Sequence, residues 1–281
     1  MKRVLALLFL LFAAPALAQD QRPLFELGLA GGAGYTPDYP AAEQSHVRGI
    51  VSPWLIYRGR ILRADEQGAR ARTLLGDGIE LAISASGSFP TASRDNRARA
   101  GMPDLDWIGE IGPTLIWTVW RDLDAAAPRR VVLETPLRAA FSTDLTSISY
   151  RGLTFEPDIA FQQRHLLVRG SRLRVSLGAV FANDRYMEYF YGVAPEFARA
   201  GRPAYAARAG YLGTRVQMSF RVPITETVSL VAGGRVFNHS GASNRDSPLF
   251  RRVWNYSVAA GFSWTLYRSG TLVDSSSEPF D

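Results

Sequence analysis

From residue 211 to residue 222 the chain alternates without a break. Leu212, Thr214, Val216, Met218, Phe220 and Val222 fall on one face of an extended segment, and Gly213, Arg215, Gln217, Ser219 and Arg221 fall on the other. A period of two marks a strand with one apolar and one wet face. Residues 254–266 repeat it: Trp254, Tyr256, Val258, Ala260, Phe262, Trp264 and Leu266 stand against Asn255, Ser257, Ala259, Gly261, Ser263 and Thr265. Further dyads run through 79–89, 130–141, 153–161 and 172–181. Weaker ones occupy 24–33, 47–57, 61–64, 107–120, 186–191 and 228–237. The sum is an all-β chain of about twelve strands (roughly 10–14), with most Pro, Gly, Asn and Asp in the turns between them.

The first twenty residues follow a different rule. Lys2-Arg3 is a charged start, residues 4–14 are apolar, and Ala16-Leu17-Ala18 is a small-x-small cleavage pattern. The stretch is too short to span a bilayer. Residues 1–18 are therefore expected to be a cleaved signal peptide, and residues 19–281 a single exported domain. Lys2 is the only lysine. Removing Lys2 and Arg3 from the 32 basic residues leaves 30 against 26 acids, so the formal +6 falls to +4. That balance offers no basic stripe for nucleic acid. Arg in place of Lys is compatible with coding bias or with guanidinium forks pairing carboxylates and phosphates, as on a lipopolysaccharide-facing wall.

An alternating chain can form a soluble sandwich or a membrane barrel. The chain is 47% hydrophobic, yet its mean hydropathy is only −0.05, because each strand spends alternate positions on polar residues. Several strands reach the roughly 9 to 11 residues that cross a bilayer at a tilt. Aromatics gather near strand ends, at Trp54, Tyr57, Trp107, Trp120, Trp254 and Tyr267. These features favour a transmembrane, antiparallel, up-and-down β-barrel in the outer membrane, in contact with its lipid and lipopolysaccharide. A polar tail, residues 268–281, follows the last strong strand.

The polar faces supply the candidate site residues. Glu134 and Arg138 share one face, Glu156 and Asp158 another, and Arg174 and Arg215 stand on further strands. Together they are expected to form ion pairs in the lumen. A second candidate is the connection 90–105. Its Arg94, Asp95, Asn96, Arg97, Arg99, Met102 and Asp104, with Asp106 just beyond, would form a partner-contact segment, its arginines pairing with Asp104 and Asp106. Counting strands from the N-terminus places that connection on the periplasmic side.

No catalytic constellation is evident. His239-Ser240 has the wrong spacing for a rim hydrolase, and His46 and His165 stand apart. With no Cys and three scattered His, neither a metal nor a cofactor is implied, and no enzymatic activity is expected.

The order of motifs resembles the MltA-interacting protein and OmpV (MipA/OmpV) family of Gram-negative outer-membrane proteins. The likeness is carried by Gly32-Ala33-Gly34-Tyr35-Thr36-Pro37-Asp38-Tyr39-Pro40, by Tyr57-Arg58-Gly59-Arg60 and by Ser86-Gly87-Ser88-Phe89-Pro90. It continues through Gly101-Met102-Pro103-Asp104-Leu105-Asp106, Tyr189-Phe190-Tyr191-Gly192 and Asp246-Ser247-Pro248-Leu249. The resemblance implies an outer-membrane barrel that acts as a scaffold, bringing a lytic transglycosylase together with a murein synthase. A passive channel and a surface adhesin are the alternatives. It supplies no residue-level motif for any of these roles.

Overall fold

The computed structural model describes residues 21–58, 62–65, 68–71, 78–123 and 126–274. The expected signal peptide and the end of the tail, 275–281, lie outside them. The strands are β1 (Gln21–Pro23), β2 (Phe25–Pro37), β3 (Ser45–Arg58), β4 (Leu62–Asp65), β5 (Gly68–Ala71), β6 (Ile79–Ser88), β7 (Trp107–Asp122) and β8 (Arg129–Thr143). They continue as β9 (Ile148–Phe155), β10 (Asp158–Arg164), β11 (Arg172–Ala182), β12 (Gly210–Pro223), β13 (Val228–Asn238), β14 (Trp254–Arg268) and β15 (Leu272–Asp274). One helix, α1 (Asp184–Tyr191), lies between β11 and β12.

Antiparallel neighbours run from β2 round to β14, and β14 pairs back onto β2 through registers such as Ala260↔Ala33, so the sheet closes. β9 and β10 both sit between β8 and β11, end to end, and make one stave interrupted at Glu156-Pro157. Pro157 has no N–H to give the ladder. Its carbonyl still accepts from the Ala179 N–H at 3.0 Å, so pairing resumes at once. The ring thus has twelve staves. β1 and β15 pair with each other outside it and hold the two chain ends together.

Side-chain exposure inverts the pattern of a soluble protein. Leu29, Ile83, Leu115, Trp117, Leu177, Val216, Met218, Phe262 and Trp264 face outward and are exposed. Glu110, Arg138, Glu156, Asp158 and Ser176 face inward and are buried. Pairing β14 back onto β2 closes the ring, and an apolar outer wall matches lipid. Among the described residues the short β4 and β5 complete it by meeting β3 at Tyr57 and Arg58 and β6 at residues 81–83.

The interior is lopsided. Ala82, Ile116, Val132 and Ala160 pack together and fill the half bounded by β6, β7, β8 and β10. The half bounded by β2, β13 and β14 presents Gly32, Gly34, Gly233, Ala259 and Gly261, and a cavity of about 720 Å³ remains there.

Four expectations need correction. Residues 186–191 form the end of α1, not a strand. Asn183 caps the helix by accepting from the Tyr186 N–H at 3.1 Å, and Tyr186, Met187, Phe190 and Tyr191 share its buried face. β5 was not foreseen, because four residues give too short an alternation to stand out. The two errors cancel in the count but not in the topology: β5 carries the 90–105 connection to the end opposite the termini. Leu212 does not join the outer face of β12, because a bulge between Val180 and Phe181 of β11 leaves it unpaired and buried. Trp54 is not part of an outer aromatic belt; it lines the cavity, with its indole packed over Gly28.

Candidate functional site

The long connections 38–44, 89–106, 183–209 and 239–253 all lie at the end opposite the termini, and they fold onto one another. Tyr39, Leu105, Tyr186, Met187, Phe190, Tyr191, Val193, Leu212 and Leu249 form a buried apolar cluster there. This cap holds most of the molecule's conventional core, and it closes the loop end of the lumen.

Polar bonds tie each loop to the others. The Asp38 carboxylate accepts from Arg48 Nη2 at 2.6 Å and Asn96 Nδ2 at 2.7 Å, with His46 Nδ1 at 2.6 Å. The Tyr39 hydroxyl donates to the Leu249 carbonyl at 2.8 Å, and that of Tyr191 to the Pro40 carbonyl at 2.9 Å. Burial raises both phenols above their ordinary range. Arg202 donates to the carbonyls of Ala98 and Ala100, each at 3.0 Å, and to that of Phe197. A guanidinium satisfied by carbonyls serves here as a strut between loops.

His239 stands at the centre of the cap and is fully buried. Its Nδ1 lies 2.8 Å from the Leu212 carbonyl, which can only accept, so Nδ1 carries the proton. Nε2 then accepts from the Ala41 N–H at 3.2 Å. The Ala41 N–H also donates to Asn255 Oδ1 at 2.7 Å, and Asn255 Nδ2 donates to the Ala42 carbonyl at 2.9 Å. Burial lowers the His239 pKa and favours this neutral form. The neighbouring Ser240 is exposed, and its N–H donates to Asn238 Oδ1 rather than engaging His239.

Beneath the cap the six expected lumen residues meet in one network. Arg174 spans Glu134 (2.8 Å) and Asp158 (3.2 Å); Arg215 spans Asp158 (3.7 Å) and Glu156 (2.8 Å); Arg138 continues from Glu156 (2.9 Å) to Glu110 (4.0 Å). Registers explain the meeting, since Asp158 sits opposite both Glu134 on β8 and Gly178 on β11, and Gly178 opposite Arg215 on β12. Glu110, which sequence reasoning missed, accepts from the Tyr186 hydroxyl at 2.9 Å and Thr154 Oγ1 at 3.3 Å. Its signal was available as an acid on the inward face of a strand in 107–120.

The 90–105 segment behaves differently from the expectation. Asn96 and Arg99 are buried, and Arg99 donates to the carbonyls of Pro103 (3.1 Å) and Phe190 (3.4 Å) with its guanidinium over the Tyr39 ring. Met102 packs on the cap. Asp104 accepts from the Ser93 N–H at 2.6 Å, and Asp106 lies 3.8 Å from Arg151. The expected pairing of Arg94 and Arg97 with these acids is absent, because the turn directs them outward, to Asp95 (3.8 Å) and Glu43 (3.4 Å). Arg94, Asp95, Arg97 and Asp104 are exposed charges of this segment.

A closed ring with a lipid-compatible wall and a charged interior defines a transmembrane β-barrel protein of the outer-membrane kind. Residues 29–266 match the family described as MltA-interacting protein MipA. The chain belongs to that family and is an outer-membrane β-barrel protein. No curated protein matches its sequence. Solved structures similar to it include the NanC porin (10% identity, 85% of this chain and 100% of that chain, TM-score 0.39). Two others are the outer membrane phospholipase A from Escherichia coli (11%, 84% and 89%, TM-score 0.30) and Salmonella typhi OmpF (10%, 86% and 97%, TM-score 0.33).

Proposed function

We propose that the protein is a capped barrel that docks a murein-cleaving enzyme at its periplasmic face, and that it is neither an open diffusion pore nor an enzyme. The observation that carries this reading is the turn 165–171 at the terminus end, where Leu166, Leu167 and Val168 are all exposed. The turn is held in shape by the His165 N–H donating to the Ser171 carbonyl at 2.9 Å and the Ser171 N–H donating to the Val168 carbonyl at 3.0 Å. Short turns and chain termini mark the periplasmic end of such barrels, so these apolar side chains face the compartment where murein is processed. Exposed apolar surface of this kind suits a protein contact. The family description, an MltA-interacting protein, supplies the class of partner.

The cap supports the rest of the reading. It obstructs the lumen, and it engages both ring nitrogens of His239 in structural bonds, which leaves no base for Ser240. This reading takes the turn 165–171 rather than 90–105 as the docking surface, since the buried Asn96 and Arg99 of 90–105 serve the cap. A refolded L166S/L167S/V168S variant is expected to lose capture of a purified lytic transglycosylase, while a variant shortened within 92–104 retains it. Unchanged capture by the triple variant overturns the reading.

A further inference from the structure

The lumenal cavity is not charge-neutral in its contacts. Its lining carries four guanidinium groups, Arg48, Arg215, Arg221 and Arg235, against three carboxylates, Asp38, Glu110 and Glu156. Each carboxylate is already engaged: Asp38 by Arg48, Glu156 by Arg138 and Arg215, and Glu110 by Tyr186 and Thr154. Arg235 differs from the other arginines of the lining. Its Nε donates to Gln217 Oε1 at 3.1 Å, and neither Nη makes a hydrogen bond to another described residue. The register of β13 sets it opposite Gln217 on one side and Ser257 on the other, and the Gln217 bond orients its guanidinium.

Beside Gln217 and Ser257, the cavity wall next to Arg235 carries small and apolar residues. Gly233 and Phe237 flank it on the inward face of its own strand, Ala259 follows Ser257 on β14, and Ile50, Trp54 and Val231 also line the cavity. A volume of about 720 Å³ falls within the usual range for small-molecule pockets, which are mostly apolar with a few orienting polar groups. A guanidinium presents two parallel N–H donors that match a carboxylate.

We infer that the lumen holds a binding site for a small organic acid with an apolar body, its carboxylate seated on the free Nη edge of Arg235 beside Ser257 and its body against Ile50, Trp54 and Phe237. The small inward residues of β2, β13 and β14 are what make room for it. Ala259, on the inward face of β14, would project into that room if enlarged, whereas a Cβ at Gly233 would press on the Met218 carbonyl.

The test uses refolded full-length protein in detergent, with 4-phenylbutyrate and its neutral amide as probes and calorimetry as the readout. Wild type is expected to bind the acid at least about tenfold more tightly than the amide, the ratio for a charge-assisted hydrogen bond. R235Q removes that preference. R235K, which keeps the charge without the fork, recovers part of it. Filling the room from β14, by A259L, blocks both probes while leaving heat-modifiable gel mobility, the sign of a folded barrel, intact. Equal binding of acid and amide to wild type, binding of neither, or an unchanged preference in folded R235Q overturns the inference. None of these outcomes bears on enzyme capture at the turn 165–171, so the two readings fail separately.

Discussion

The hydroxyl of Tyr186 donates to the Glu110 carboxylate at 2.9 Å, and this bond joins the helix of the cap to the ion network of the lumen. One partner belongs to a loop that closes the barrel and the other to a strand that spans it. The cap is therefore anchored downward as well as packed sideways.

Replacing Tyr186 with Phe removes only that anchor. Hydrogen bonds to charged groups contribute about 1.5–3 kcal/mol. Amide exchange in residues 184–191 should accelerate by the equivalent of about that energy, while the strands β12–β14 keep their protection. Uniform loss of protection would show that the bond supports the barrel rather than the cap.

His239 makes the cap sensitive to acid. Its pKa is lowered in the folded cap by burial, against about 6.5 in an exposed chain. An opened cap binds the proton first as pH falls, so cap stability is full above about 6.5 and is lost as pH drops toward the lowered value. Amide protection factors in residues 239–250, which divide out the pH dependence of intrinsic exchange, should fall as pH drops below about 6.5. H239N should exchange faster at every pH and show no such step.

Glu156 is shared by Arg138 and Arg215. E156Q leaves two largely buried guanidinium groups without their common carboxylate, a change that typically costs about 3–5 kcal/mol. Urea unfolding of the refolded barrel should move to a lower midpoint. The double variant E156Q/R215M should recover part of the loss, since it also removes one of the two guanidinium groups left with only a longer carboxylate contact, Arg215 to Asp158.

Gly152 on β9 adopts φ +119°, and a Cβ there would stand 2.2 Å from Asn183 Oδ1. That oxygen accepts from the N–H groups of Tyr186 and Leu153. G152A therefore strains the strand and displaces the helix cap together, with an expected cost above about 2 kcal/mol. The folded fraction after refolding, read by gel mobility, should fall sharply, whereas G101A, with nothing within 4 Å of its Cβ, should cost only its backbone strain.

The barrel wall was legible in the sequence because lipid and water impose opposite demands on neighbouring residues. Glu156 and Asp158 could be assigned to one face from spacing alone, and registers then delivered them to Arg138, Arg174 and Arg215. The cap was not legible. Its contacts join residues as distant as Ala41 and Asn255, and no local period records such a meeting. One local signal did exist: Asn183 precedes Tyr186, Met187, Phe190 and Tyr191, a helical spacing of aromatics, but a neighbouring alternation suggested a strand. β5 was missed for lack of length, and with it the side on which 90–105 lies.

The seam between β2 and β14 has a kinetic consequence. It unites segments more than 200 positions apart in the chain, and closing so large a loop is entropically slow. The bonds from Ala41 to His239 and Asn255 cross that same seam at the loop end. They can form only once the first and last staves have met. The cap is thus a latch set last, and a trapped, unclosed barrel should be recognisable during assembly by a loop end still open to protease.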